Sequence, residues 1–141
     1  MAATERPSAS LSDDVIPAGW TQTTLSDGLL LDVQPGFACG SHNQKGEGVP
    51  HLRPMNVSEE GQIDLSLIKY VPAEQAIKEE RIIRVGDVLF NNTNSPPLVG
   101  KTAYYADSAP RSFSNHMTRL RCRQDVFDPR FCALVLHQKW R

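Results

Sequence analysis

Five hydrogen-bonding side chains stand in a row directly after an apolar segment that ends at Phe90. They are Asn91, Asn92, Thr93, Asn94 and Ser95. Short amide and hydroxyl side chains favour turns because they bond the local backbone. A run this dense also offers paired donors and acceptors, which suit contacts to base edges or to phosphate. The residues alone leave both readings open, a capped turn between two strands or a nucleic-acid contact loop. Lys101, which follows Gly100, adds a cation that a tight turn could bring to a phosphate, although a lone Gly-Lys pair is a weak signal.

A second polar segment, residues 40–48, contains three glycines and a cluster of side chains able to read a base. Asn and Gln can pair bidentately with adenine, and Lys can meet guanine or phosphate. The candidates in this segment are Ser41, His42, Asn43, Gln44 and Lys45. The competing interpretation is an ordinary glycine-rich surface loop.

Three arginines alternate along residues 114–123, where the pattern predicts a strand. Arg119, Arg121 and Arg123 would then lie on one face, together with Asn115 and Met117. Like charges on one face repel unless something anionic offsets them, and a DNA backbone would do so. The alternative is a solvated face that is salt-bridged to the acidic half of the chain.

Charge is divided unevenly along the sequence. Residues 1–80 carry 5 Lys+Arg and 12 Asp+Glu, a balance of −7, whereas residues 81–141 carry 10 and 4, a balance of +6. Such asymmetry favours one basic surface, unless folding mixes the two halves.

Catalysis and metal binding find little support in the sequence. There is no glycine-rich cofactor loop, no nucleophile elbow and no metal spacing among the four histidines. The three cysteines are widely spaced, which fits reduced thiols in the cytoplasm. No apolar run is long enough to span a membrane. We therefore expect no catalytic residue, no metal and no cofactor.

Periodicity predicts more strand than helix. We expect strands at 28–33, 49–57, 62–68, 84–90, 101–106 and 114–123, with 91–97 as the loop between two paired strands. A short helix is predicted at 73–81. A second begins at Asp128 and Pro129 and places Phe131, Val135 and Leu136 on one face. Residues 1–14 read as a flexible polar tail.

Four segments, in this order and spacing, resemble one known family. Residues 86–101, G-D-V-L-F-N-N-T-N-S-P-P-L-V-G-K, are similar to the central signature of target recognition domains in the specificity (S) subunit of type I restriction-modification enzymes. Residues 16–20 with Leu25 resemble the domain's opening, 48–57 its glycine-x-proline strand, and 115–120 a later strand. The resemblance covers residues 16–141.

This resemblance implies a fold and a set of partners. The implied fold is an α/β domain with a curved, mostly antiparallel sheet and a few flanking helices, one of them C-terminal. The implied function is sequence-specific binding of one half of a split target in double-stranded DNA. Methyltransferase (M) and restriction (R) subunits of the same system would supply the chemistry. The implied DNA contacts include the two polar loops, Lys101, the three arginines and, in the glycine-x-proline segment, Arg53.

Two alternatives stay open from the sequence. One is a protein-interaction domain in which the 91–95 turn is structural, and the other is the recognition domain of a fused methyltransferase-restriction enzyme. The family domain continues into a long spacer helix and a second domain. We therefore expect residues 15–141 to be a single target recognition domain, truncated before those parts.

Overall fold

Residues 15–140 are described by a computed structural model, and they form eight β-strands, two α-helices and two short 3-10 helices. The predicted polar tail, 1–14, and Arg141 lie outside the described residues. The strands are β1 Leu30–Pro35, β2 Val49–Leu52, β3 Lys69–Val71, β4 Ile82–Ile83, β5 Asp87–Asn91, β6 Thr102–Tyr104, β7 Arg111–Phe113 and β8 Met117–Cys122. The helices are α1 Ala73–Ala76 and α2 Pro129–Trp140, with 3-10 turns at Pro54–Asn56 and Glu79–Arg81.

The first sheet has the strand order β1-β8-β5-β6, and all its pairs are antiparallel. Strand β5 contributes the almost continuously buried run D-V-L-F-N, which fits an inner strand of this sheet. It pairs with β6 through Val88 and Tyr104, and residues 92–101 connect the two strands. The prediction of a loop between two paired strands at this point is confirmed.

The second sheet has the order β3-β2-β7-β4, and its β2–β7 pair is parallel. The prediction of an α/β fold with mostly antiparallel strands is confirmed. The strands divide between two sheets, however, instead of forming one. Strands β3, β4 and β7 were missed in the sequence because each has only two or three residues, too few to establish a period.

The core lies in two layers, one on each side of the first sheet. The inner face of the second sheet meets the first sheet through a cluster that includes Leu52, Leu89, Phe113 and Met117. On the opposite face of the first sheet, α2 covers a smaller cluster: Val88, Leu120, Cys122, Cys132 and Ala133. Burial of these side chains is the main force that holds the two sheets and the helix together.

The predicted strand at 62–68 is wrong. Its alternating leucines do not face the core, since Leu67 is 70% exposed, and only Ile63 makes a single bridge to Val57. The segment forms a local turn despite its alternating apolar and polar residues, because the Asp64 carboxylate accepts a hydrogen bond of 2.9 Å from the Ser66 N–H. The predicted helix at 73–81 also breaks, into α1 and the 3-10 turn at Glu79–Arg81.

Helix α2 begins where Asp128 and Pro129 predict, with an Asp128 carboxylate oxygen accepting from the Arg130 N–H at 2.8 Å. Of the residues predicted to share a face, Leu136 packs against the core, whereas Phe131 and Val135 are largely exposed. His137 takes the inner position because Nδ1 accepts from the Thr102 N–H and Nε2 contacts the Glu59 carbonyl. Among residues 15–140, no helix is long and apolar enough to cross a membrane.

Candidate nucleic-acid interface

Two chain segments that are far apart in sequence are fastened side by side at the start of the glycine-rich loop. The Phe37 N–H donates to the Phe113 carbonyl at 3.1 Å, and the Asn115 N–H donates to the Phe37 carbonyl at 3.2 Å. A Cβ atom at Gly36 would lie 2.1 Å from the Ser114 carbonyl oxygen, so only glycine permits this close approach. The loop 36–48 is therefore held against the turn 114–116.

Asn43 braces this loop from within. Its side-chain oxygen accepts from the backbone N–H groups of Lys45, at 2.9 Å, and Glu47, while its amide donates to the Glu47 carbonyl. Its backbone also exchanges hydrogen bonds with Tyr70. Asn43 was predicted to contact DNA, but these bonds occupy its side chain inside the loop. The other four predicted residues of the segment are exposed: Ser41, His42, Gln44 and Lys45.

Two hollows meet at Arg53. The first, of about 350 Å³, has residues 37–40 and 42 on one side, the turn 114–116 on the other and His51 at its floor. The second, of about 450 Å³, is bounded by Gln44, Met55 and residues 66–69. No Asp or Glu of the described chain lines either hollow. The local surface is therefore cationic and rich in donors and acceptors, although the protein as a whole is close to neutral.

The buried side chain of His51 lines the first hollow and is neutral at physiological pH. Its ring is 3% exposed, shares a hydrogen bond of 2.8 Å with the Ser112 hydroxyl and meets the Phe37 ring edge-on at 5.1 Å. Burial, and then the positive charges of His42 and Arg53, lower the pKa of His51 to about 4. His51 was not among the predicted site residues, because an isolated histidine in a proline-rich strand has no recognisable pattern.

The asparagine run separates into one structural and several exposed residues. Asn91 is fully buried, and its amide donates to the carbonyls of Pro54 at 2.9 Å and Leu98 at 3.1 Å. It was predicted to contact DNA, but it instead ties β5 to the chain beside Arg53. Asn92 is exposed; it contacts the Asn115 carbonyl at 3.4 Å and accepts from the Thr118 hydroxyl. Asn94 is exposed as well.

Ser95 and Lys101 complete the loop between β5 and β6. The Ser95 carbonyl accepts from the N–H groups of Leu98 and Val99, which closes a turn. Lys101 is 7% exposed, and its Nζ lies 2.8 Å from Oε1 of Glu59. The Gly-Lys pair suggested a phosphate contact, but Lys101 is buried and its ammonium group is paired with the Glu59 carboxylate.

The alternating arginines make internal ion pairs. Arg119 is 2% exposed and binds the Asp32 carboxylate as well as the Ile82 carbonyl, the latter at 2.6 Å. Arg121 holds Asp87 through two hydrogen bonds, at 2.7 and 2.9 Å. Arg123 is half-buried and lies 3.4 Å from Asp125.

Arg119 and Arg121 lie on one face of β8, as predicted, but carboxylates of the same chain offset the charge of both arginines. Several of these pairs join the basic half to the acidic half, as Arg119–Asp32 and Lys101–Glu59 do. Folding thus mixes the two halves, and the basic surface predicted from charge asymmetry does not arise from these arginines.

Four segments thus converge into what we call the loop cluster: the loop 36–48, Arg53, Asn92 and the turn 114–116. Within it lie the predicted residues His42, Gln44, Arg53, Asn92 and Asn115. Three residues that line the two hollows were not among the predicted contacts: His51, Lys69 and, within the turn 114–116, His116. Their proximity to the predicted residues depends on strand pairing between distant segments. Strand β3, which carries Lys69, was itself not predicted.

No protein-family model matches this chain. The chain is 28% identical over 127 residues to a protein of Methanocaldococcus jannaschii named as the type I restriction enzyme MjaX specificity subunit. That alignment covers 86% of this chain and 28% of the relative. The resemblance drawn from the sequence motifs is thereby confirmed.

Two solved structures share the fold. A chain from a structure of a type I restriction-modification system, solved for its complex assembly and conformational transition, superimposes with a TM-score of 0.65 at 21% identity. The match covers 89% of this chain and 29% of that one. The HsdS subunit from Thermoanaerobacter tengcongensis gives a TM-score of 0.65 at 20% identity, over 93% of this chain and 30% of that one. The chain therefore spans less than a third of the length of each of these relatives.

Proposed function

We propose that this chain is a non-catalytic DNA-recognition domain of a type I restriction-modification specificity subunit. In this role it reads one half of a split target in double-stranded DNA. Methyltransferase subunits and a restriction subunit of the same system then act on the DNA that it selects. The complex works in the cytoplasm, where its DNA substrate is found.

The observation that carries this proposal is the convergence of the loop cluster. Three of its segments bring amide, imidazole and cationic side chains together around two hollows, and Asn92 lies beside them against the Asn115 carbonyl. The described residues that line these hollows include no carboxylate. Duplex DNA presents donors and acceptors in its grooves and anionic phosphates beside them. A surface with both kinds of group suits that ligand better than it suits a basic or purely apolar protein partner.

Burial and pairing assign different roles to the predicted residues. Exposed side chains of the loop cluster are the candidates for base contacts, chiefly His42, Gln44 and Lys45 with Asn92 and Asn115. Asn43 and Asn91 hold the loops in place, because their amides are used by backbone partners. Phosphate contacts position such a domain on the duplex, and base contacts give it sequence preference.

Selection from a library of randomised duplexes tests the proposal. The 141-residue chain should enrich a short sequence of a few base pairs at low salt, with an affinity that falls steeply as salt is added. A domain that reads one half-site should bind weakly, so micromolar protein is needed. A chain that binds duplex DNA with no enriched sequence would contradict recognition, and a chain that binds no duplex would favour the protein-interaction alternative.

A further inference from the structure

Arg53 carries a partly buried charge that the described protein leaves largely uncompensated. Its Nη2 donates to the Leu67 carbonyl at 3.0 Å, and its Nε is buried with no hydrogen-bond partner among the described residues. Burial lowers the pKa of Arg53, which reflects the cost of holding a guanidinium away from water. The rest of the guanidinium is accessible and has no carboxylate of the described chain beside it, so it can bind a ligand of opposite charge.

Arg119 also has a buried Nε with no hydrogen-bond partner, so the feature that sets Arg53 apart from most other arginines of the described chain is the lack of a carboxylate near its charge. Each of six lies within ion-pair distance of a carboxylate: Arg84, Arg111, Arg119, Arg121, Arg123 and Arg130. Arg81 has no such pair, but its guanidinium lies 4.4 Å from the centre of the Phe37 ring and donates to the Gln75 carbonyl. Arg53 has only the Leu67 carbonyl.

A second cation lines the same hollow. Lys69, in β3, shares the 450 Å³ hollow with Arg53 and Gln44, and it makes no ion pair with any described residue. The rest of the lining is apolar or neutral, with Met55 and residues 66–68. Two cations beside one open space, with no acidic residue in its lining, attract an anion from outside the protein.

We propose that Arg53 and Lys69 form a phosphate site in this hollow and bind a phosphate group of the DNA backbone. The inference rests on the proposed function, and it assigns to Lys69 a role that no sequence motif indicated. The planar guanidinium matches two phosphate oxygens, whereas the lysine ammonium supplies a compact second charge. Such a contact fixes the register of the loop cluster on the duplex, which leaves base reading to the exposed amide side chains.

The first test is the salt dependence of binding to a duplex of scrambled sequence. Arg53→Gln and Lys69→Gln should each weaken binding about 10-fold at low salt and reduce the slope of log K against log salt by about 0.9. The matched control is Lys139→Gln, which removes an exposed charge from α2 outside the loop cluster and should change neither quantity. Lys69 is only partly buried, so its variant keeps the test valid if Arg53→Gln folds poorly.

The second test uses inorganic phosphate and requires no DNA. Millimolar potassium phosphate should raise the Tm of the wild-type chain above its value in potassium chloride of equal ionic strength. Because phosphate also stabilises proteins generally through exclusion, the readout is the difference from Arg53→Gln, in which the specific rise should vanish.

The two tests distinguish failure of the phosphate site from failure of the proposed function. If the wild-type chain prefers a sequence but both variants keep its salt slope, the phosphate site is overturned and the proposed function stands. If the wild-type chain binds no duplex, the proposed function fails and the phosphate test decides alone. An equal Tm rise in wild type and Arg53→Gln would then overturn the site.

Discussion

The side-chain amide of Asn91, at the end of β5, donates a hydrogen bond of 2.9 Å to the carbonyl oxygen of Pro54, the residue that follows Arg53. A second bond from the same amide reaches the Leu98 carbonyl at 3.1 Å. One buried side chain therefore joins three segments: the inner strand of the first sheet, the loop that follows it and the corner beside both hollows. The position of Arg53 depends on a residue that is itself inaccessible to a ligand.

Asn91→Ala should lower the free energy of unfolding by about 2 kcal/mol, because it removes both hydrogen bonds of a fully buried amide and leaves a small cavity in its place. Asn94→Ala is the matched control from the same run; its side chain is exposed, so its effect should stay within about 0.5 kcal/mol. Denaturation by urea measures both. Equal effects of the two substitutions would contradict the structural role of Asn91.

Arg119→Ala should destabilise the fold and leave the salt dependence of DNA binding unchanged. The substitution removes a buried cation from Asp32 and takes a donor from the Ile82 carbonyl. Since Asp32 is 41% exposed and can be rehydrated, we expect a loss of about 2 kcal/mol, below the cost of breaking a fully buried pair. Salt titration of duplex binding and urea denaturation check the two halves. If the variant has wild-type stability but a reduced salt slope of DNA binding, Arg119 contacts DNA and the prediction is wrong.

Asn91 and the alternating arginines show which parts of the fold and of the site the sequence can predict. The dense polar run after an apolar strand predicts a loop between two paired strands, because turn chemistry is local. Alternation likewise places Arg119 and Arg121 on one face. What the run cannot show is that Asn91 turns inward and Asn92 outward. The inward orientation of Asn91 depends on its hydrogen bond to the Pro54 carbonyl, 37 positions earlier in the chain.

The same limit applies to charge. Asp32 lies 87 residues before Arg119, and nothing in the local pattern of either links them. The arginine alternation therefore suggested an anionic ligand where the chain supplies its own carboxylates. Arg53, by contrast, was an implied DNA contact from its segment alone, but only the folded chain shows that its charge lacks a carboxylate partner among the described residues.

Protonation of His51 should destabilise the protein under mildly acidic conditions. Its pKa in the folded state, about 4, lies below the ordinary value of 6.5, so the unfolded chain takes up the proton first. The stability that neutral His51 contributes is fully present above pH 6.5 and is lost as the pH falls towards 4. At about 1.4 kcal/mol for each pH unit, the loss approaches roughly 3 kcal/mol.

His51→Gln removes this titration, and His42→Gln, at an exposed position, is its control. The stability difference between wild type and His51→Gln, measured by urea denaturation at several pH values, should shrink from pH 6.5 to pH 4.5. The difference for His42→Gln should change much less. A pH-independent difference for His51→Gln would show that the buried ring is protonated as readily in the folded chain as in the unfolded one.

Exchange of the exposed residues of the glycine-rich loop should change the DNA sequence that is preferred without changing the fold. The residues to exchange are Ser41, His42, Gln44 and Lys45. Asn43 must be kept, since its side chain accepts from the Lys45 and Glu47 N–H groups and holds the loop in shape. Each good bidentate contact discriminates against the wrong base by about 1–3 kcal/mol, which is enough to alter an enriched motif at one or two positions.

Selection from randomised duplexes reads out the exchange, and thermal unfolding confirms that the fold is intact. Arg53 and Lys69 remain in place, so total affinity for scrambled DNA and its salt slope should stay close to the wild-type values. The control exchange alters Gln138 and Lys139 on α2, which should leave the motif as it is. An unchanged motif after the loop exchange would assign base reading to Asn92 and the turn 114–116, while a motif altered equally by the α2 exchange would place the DNA on the opposite side of the first sheet.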